Sequence, residues 1–162
     1  MKRAAPLTLP GNRAAIDDIV RRCRRQVTKR ALMSAGVVIV PIPGLDIAAD
    51  LLLLRKLIDE INTEFGLAPA QIERLSPATR VLVYKSIVAF GGAMVGRAIT
   101  KEILVKALAM VGMRISVKQA TKYVPIAGQA VSAVLSYTAM RYVALQHIRD
   151  CERVVAEVLG PA

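Results

Sequence analysis

Two short Pro/Gly interruptions constrain this chain more than any other feature. Val40-Pro41-Ile42-Pro43-Gly44 and Val124-Pro125-Ile126-Ala127-Gly128 begin 84 residues apart (40 to 124), and each opens a long apolar run. Proline removes a backbone donor and collides with the preceding helical turn, whereas glycine reaches backbone angles closed to other residues. A chain interrupted in this way reads as long helices joined by sharp reversals. No segment alternates apolar and polar residues long enough to make a half-buried strand. The expected class is all-α, six to seven helices forming hydrophobic helical hairpins in one bundle. The two interruptions echo each other, but five positions with one mismatch do not establish a duplication.

The helices can be placed from their apolar periods. Residues 1–12, with Pro6, Pro10 and Gly11, are expected as a flexible N-terminal arm, and Asn12 can cap a helix over about 13–39. In its first half Ile16, Val20, Cys23 and Val27 recur at steps of four, three and four. That spacing keeps them on one face. A second helix, about 45–65, carries Ile47, Leu51, Leu54, Ile58, Ile61 and Phe65 as its packing stripe, and Gly66 ends it. On its other side Arg55 with Asp59 and Lys56 with Glu60 are spaced as i,i+4 ion pairs. Residues 69–75 allow one short helical turn. Ser76-Pro77 then gives an N-cap followed by proline at the first helical position. Helical character runs on to about 111, with a kink or loop expected near Gly91, Gly92 and Gly96. A short helix from Ser116 to Tyr123 and a last one over about 128–159 complete the chain. Residues 13–160 read as a single helical domain, with hairpins over about 31–65 and 77–159.

At 162 residues the chain can bury a core without metals or disulfides. Hydrophobic residues make up 54% and charged residues 22%, and the mean hydropathy is +0.45, which excludes a disordered chain. Aromatic residues make up only 4%, with no Trp, which argues against a base-stacking platform. Cys23 and Cys151 stand far apart with no CxxC or Cys/His spacing, so neither a disulfide scaffold nor a zinc site is expected. A reducing compartment follows as the default. Two prolines interrupt the first eleven residues where a signal peptide needs an unbroken apolar run, so no cleaved leader is expected.

The charge is uneven. There are 23 Lys and Arg against 12 Asp and Glu, a net +11, and residues 1–30 hold nine of the cations and two of the acids. Thus +7 of the +11 sits in the first fifth of the chain. Arg21, Arg22, Arg24, Arg25, Lys29 and Arg30 form the densest run. Three readings compete for it. As a basic amphipathic helix it would lie on anionic lipid, each cation near the surface contributing about 1 kcal/mol. As a nucleic-acid contact it would meet phosphates without any base-reading motif, the least favoured of the three. As plain structure it is a solvated face balanced by acids elsewhere.

Other candidates read as structural. Asp46 and Asp50, one turn apart, have the spacing of an acid/base pair or of metal ligands. The simpler reading is that Asp46 meets the free amides of a first helical turn while Asp50 pairs with a cation such as Lys85 or Arg97. His147 is the single histidine, and Cys23 lies in an apolar stripe, so no catalytic residue, cofactor, metal or small-molecule substrate is expected. A bilayer span needs about 20 uncharged helical residues. Residues 31–54 reach that length only across Pro41, Pro43 and two Asp, and Gly92-x-x-x-Gly96 has just 11 uncharged residues between Lys85 and Arg97. Peripheral or reversible insertion therefore fits better than spanning, although an integral arrangement stays open.

The stretch Val40-Pro41-Ile42-Pro43-Gly44-Leu45-Asp46-Ile47-Ala48-Ala49-Asp50-Leu51-Leu52-Leu53-Leu54, then Phe65-Gly66-Leu67 and Tyr123-Val124-Pro125-Ile126-Ala127-Gly128, resembles the C-terminal helical domain of immunity-related GTPases. It is also similar to the uncharacterised helical domain of certain bacterial membrane-associated GTPases, over roughly residues 14–158. No Gly-x-x-x-x-Gly-Lys-Ser/Thr occurs, so the amides and lysine of a phosphate-cradling loop are missing. What the resemblance implies is the accessory helical module alone: membrane association and contact with a GTPase or a like subunit. The expected function is thus a non-enzymatic module for membrane association and protein interaction. It would sit in the cytoplasm, peripheral at the inner membrane. The alternative is a soluble oligomeric scaffold or regulatory partner.

Overall fold

The computed structural model describes residues 8–36, 45–107, 109 and 128–160, with the backbone alone for 31–36, 45–50 and 128–137. Five helices are laid out in order: α1 (Arg13–Gly36), α2 (Leu45–Glu64), α3 (Pro69–Ile72), α4 (Pro77–Phe90) and α5 (Gly128–Leu159). A further helical stretch covers 101–107, and no strand occurs among the described residues. The fold is all-α. Both Pro/Gly turns lie outside the described residues except for Gly128, the first residue of α5, and so does the segment from Ser116 to Tyr123.

Local chemistry sets the helix ends. Asn12 Oδ1 accepts from the Ala15 amide at 2.8 Å, satisfying one of the free donors at the start of α1. At the end of α2, Gly66 adopts φ +74°, and the Leu67 amide reaches back to the Asn62 carbonyl at 2.8 Å. This left-handed closure is one that glycine makes without steric cost. Ser76 Oγ accepts from the Thr79 amide at 3.2 Å, with Pro77 following as the first helical residue of α4.

The expected apolar stripes form the core. Ile16, Val20, Cys23 and Val27 of α1 are buried, as are Leu51, Leu54, Ile58 and Ile61 of α2 and Phe65 just after it, while the Ile47 side chain lies outside the described residues. Helix α5 supplies Met140, Val143, Ala144, Ile148, Cys151, Val154 and Val155. It packs most extensively on α1, then on α4 and α2, and the contact between α1 and α2 is smaller than any of these. Among the described residues α5 is the element that packs against all three of the other long helices. Length explains this: at 32 residues α5 presents its apolar stripe to three partners along its axis.

The loop expected near Gly91 is present, and two other local expectations need correction. Helix α4 stops at Phe90, and residues 91–100 are non-helical before the stretch 101–107. Gly92 and Gly96 thus serve a turn, and Gly96 takes φ +67° with Ile87 Cδ1 where a Cβ would sit. Part of the expected arm is packed: Pro10 is buried, Leu9 lies against the core, and the Thr8 carbonyl approaches Gly66. Finally, Glu60 does not pair with Lys56; Arg30 of α1 takes it at 2.6 Å. Arg55 does meet Asp59, at 3.9 Å.

Candidate functional site

The basic run of α1 divides into two sets. Arg21 meets Asp18 at 3.1 Å, and Arg22 bridges Asp18 and Glu64, the latter at 3.3 Å across to α2. With Arg30 on Glu60, half of the run is engaged within the fold, which is the structural reading of a charged face. Arg24, Arg25 and Lys29 are exposed and make no ion pair with any described residue.

Arg24 does not stand alone. It lines an open groove of about 820 Å³ together with Arg13 from the start of α1, Arg149 and Arg153 from α5, and Phe90 from the end of α4. Glu152 and Glu157 complete its charged lining. Packing of α1 against α5 creates this groove: the stripe through Ile16 and Cys23 meets the stripe through Cys151 and Val155, which leaves the flanking arginines along the seam. None of the four guanidiniums lies within ion-pair distance of a described acid. Four arginines against two glutamates give a net +2 in one cavity. Sequence reasoning stopped at one helix and missed Arg13, Arg149 and Arg153. The signal available was the i,i+4 spacing of Arg149 and Arg153 beside an apolar stripe.

Beyond the groove, α4 turns an apolar face outward. Val81, Leu82 and Tyr84 are exposed, and Val88 is 86% exposed, an unusual accessibility for a valine. Phe90 follows at the helix end, 46% exposed at the edge of the groove. Among the described residues no helix is long and apolar enough to cross a membrane.

Buried polar groups form a separate centre. His147 is fully buried on α5, and its Nε2 lies 3.1 Å from Asn62 Oδ1 and 3.6 Å from Cys151 Sγ. Asn62 Nδ2 donates to the Met94 carbonyl at 3.2 Å, which orients the amide so that its oxygen accepts from His147. The residue types are those of a Cys-His-Asn nucleophile, but the electrostatics are not. Burial pushes His147 down to about 3 and the Cys151 thiol well above its usual range. Both groups are neutral at pH 7, so no thiolate-imidazolium pair forms. Cys23 is buried as well, its thiol pushed up to about 12 by burial and then by Glu64. Among the described residues no three His, Cys, Asp or Glu side chains gather as a metal site.

No family model, curated protein or solved structure matches the chain.

The remaining candidates are placed as follows. The Asp46 and Asp50 side chains and Pro41, Pro43, Gly44 and Pro125 lie outside the described residues, while Lys85 and Arg97, the cations considered for Asp50, are exposed. A different aspartate, Asp150, is buried on α5 and accepts from Gln146 Nε2 at 3.1 Å. Burial raises its pKa, offset in part by that hydrogen bond and by Arg153 and Arg149. Its carboxylate occupies the space that a Cβ at Gly92 would need, so this glycine is what admits an acid between α5 and the 91–100 turn.

Proposed function

We propose that this protein is a non-enzymatic helical module that docks on an anionic membrane surface and presents its bundle to a protein partner. The observation that carries this reading is the exposed apolar face of α4 in a molecule that also brings four arginines, none ion-paired to a described residue, to one groove between α1 and α5. Peripheral lipid binding needs both parts, cations to draw the protein to an anionic surface and apolar groups to enter the headgroup boundary. Val81, Leu82, Val88 and Phe90 offer the second; Arg24, Arg25 and Lys29, with the groove arginines, offer the first. The six-residue contact expected on α1 is narrowed accordingly, since Arg21, Arg22 and Arg30 serve the fold. The resemblance to the helical domains of membrane-associated GTPases supports a GTPase, or a second copy of this chain, as the protein partner.

Vesicle sedimentation tests the docking. Binding should rise with the fraction of anionic lipid and fall with salt, because exposed charges are screened over about 8 Å at physiological ionic strength. Indifference to anionic content would reject the reading. Discrete dimers in light scattering without vesicle binding would favour the alternative, a soluble scaffold that uses the α4 face as its self-contact.

A further inference from the structure

We propose that the groove between α1 and α5 is a recognition site for a phosphomonoester, carried on the headgroup of an anionic lipid. Resting on the membrane reading above, this adds which chemical group is held and which residues hold it. Arg13, Arg24, Arg149 and Arg153 line a single cavity of about 820 Å³, within the size range of small-molecule sites. A guanidinium presents a planar fork of donors that matches two phosphate oxygens at once, and none of these four forms an ion pair with a described residue.

Charge selects among phosphates. Four arginines and two glutamates leave the groove at net +2. A phosphomonoester carries about −1.5 to −2 at neutral pH, whereas the diester of an ordinary phospholipid carries a single charge. The groove is therefore complementary to the monoester. Glu152 and Glu157 set that balance by lowering the groove from four positive charges to a net +2. The lipid source follows from Phe90, which stands half-exposed at the same cavity and offers an apolar neighbour to what the phosphate is attached to. A free phosphate makes no use of it.

The test uses the full chain with phosphatidylcholine vesicles containing either phosphatidic acid, a monoester, or phosphatidylserine, a diester, at matched surface charge and 0.15 M salt. The native protein should bind phosphatidic acid about tenfold more tightly than phosphatidylserine. Arg149→Gln with Arg153→Gln should abolish that preference. Arg149→Lys with Arg153→Lys, which keeps the charge but removes the forks, should weaken that preference while retaining binding to phosphatidylserine. Arg25→Gln with Lys29→Gln removes the same charge outside the groove and should weaken both lipids alike. Equal effects of the two glutamine pairs on both lipids would overturn the site in favour of net charge alone. Inorganic pyrophosphate, tested without lipid, separates the two levels of the reading. A thermal shift that depends on Arg149 and Arg153, with no binding to any vesicle, overturns the lipid source and the membrane docking together. Vesicle binding with neither headgroup preference nor a pyrophosphate shift overturns the groove and leaves the docking standing.

Discussion

Asn62 is the residue on which three parts of the fold converge: it sits on α2, donates to the Met94 carbonyl in the 91–100 turn, and accepts from His147 on α5. Each partner is buried, so removing the amide strands a carbonyl and an imidazole donor at once. Asn62→Ala should destabilise by about 2 to 3 kcal/mol, given a cost of roughly 1 to 3 kcal/mol for a buried polar group left unpaired. Urea unfolding measures it, and a loss near zero would show that the network is dispensable. His147 adds a pH dependence whose sign can be stated. Its folded value of about 3 lies below the ordinary 6.5, so its contribution is fully present above pH 6.5 and is lost as pH falls toward 3, when only the unfolded chain takes up the proton. Stability should fall by up to about 1.4 kcal/mol per pH unit across that window, and the slope should flatten in His147→Gln. Asp150 works in the opposite sense. Its raised pKa means that burial of the carboxylate costs stability at neutral pH, a cost relieved as the group protonates. Asp150→Asn, which can still accept from Gln146, should raise the midpoint at pH 7 and lose that advantage in acid. The core stripes were legible in the sequence because they follow the helical period, and His147 falls on one of them, between Ala144 and Cys151. Its pairing with Asn62 was not legible, since 85 residues separate them and a lone amide beside an apolar stripe looks like a surface group.

Among the helices, those with strong end signals were the most readable. Asn12 before α1, Ser76-Pro77 before α4 and Gly66 after α2 act through local hydrogen bonds, which depend on neighbours a few residues away. Ser76→Ala should cost about 1 kcal/mol, the usual worth of an N-cap, measured by thermal or urea unfolding. Gly96→Ala should cost more than this. It forces a left-handed backbone angle on a residue with a Cβ, about 1 to 2 kcal/mol, and sets that carbon 2.6 Å from Ile87 Cδ1. Were both variants equally mild, the turn after α4 would have to be adjustable. What the end signals did not carry was the choice of packing partner. Chain order favours α1 against α2, but α5, the longest helix among the described residues, packs more extensively on α1 than α2 does. The same competition redirected Glu60, whose local partner Lys56 offers a few tenths of a kcal/mol on an exposed face. Arg30 reaches it across the α1/α2 contact in a half-buried setting where the ion pair is less screened.

For the molecule as a whole, the charge is arranged against its own stability. A net +11 on 162 residues repels itself, and α1 keeps Arg25 and Lys29 one turn apart without an acid to separate them. Like charges at this spacing destabilise a helix by a few tenths of a kcal/mol. If these cations served only as a solvated face, replacing them would relieve that repulsion and leave association unchanged. If they serve a polyanion, they are held at a cost to the free protein that binding repays. Arg25→Gln with Lys29→Gln should then raise stability slightly, by up to about 0.5 kcal/mol, while weakening attachment to anionic vesicles severalfold. Salt should reproduce the same opposition in the native protein, raising the melting temperature as it screens the repulsion and releasing the protein from vesicles as it screens the attraction. Melting and sedimentation measured on one salt series decide the matter. A melting temperature that falls with salt would mean that these cations contribute to the fold, and attachment indifferent to salt would mean that the membrane is not what they are kept for.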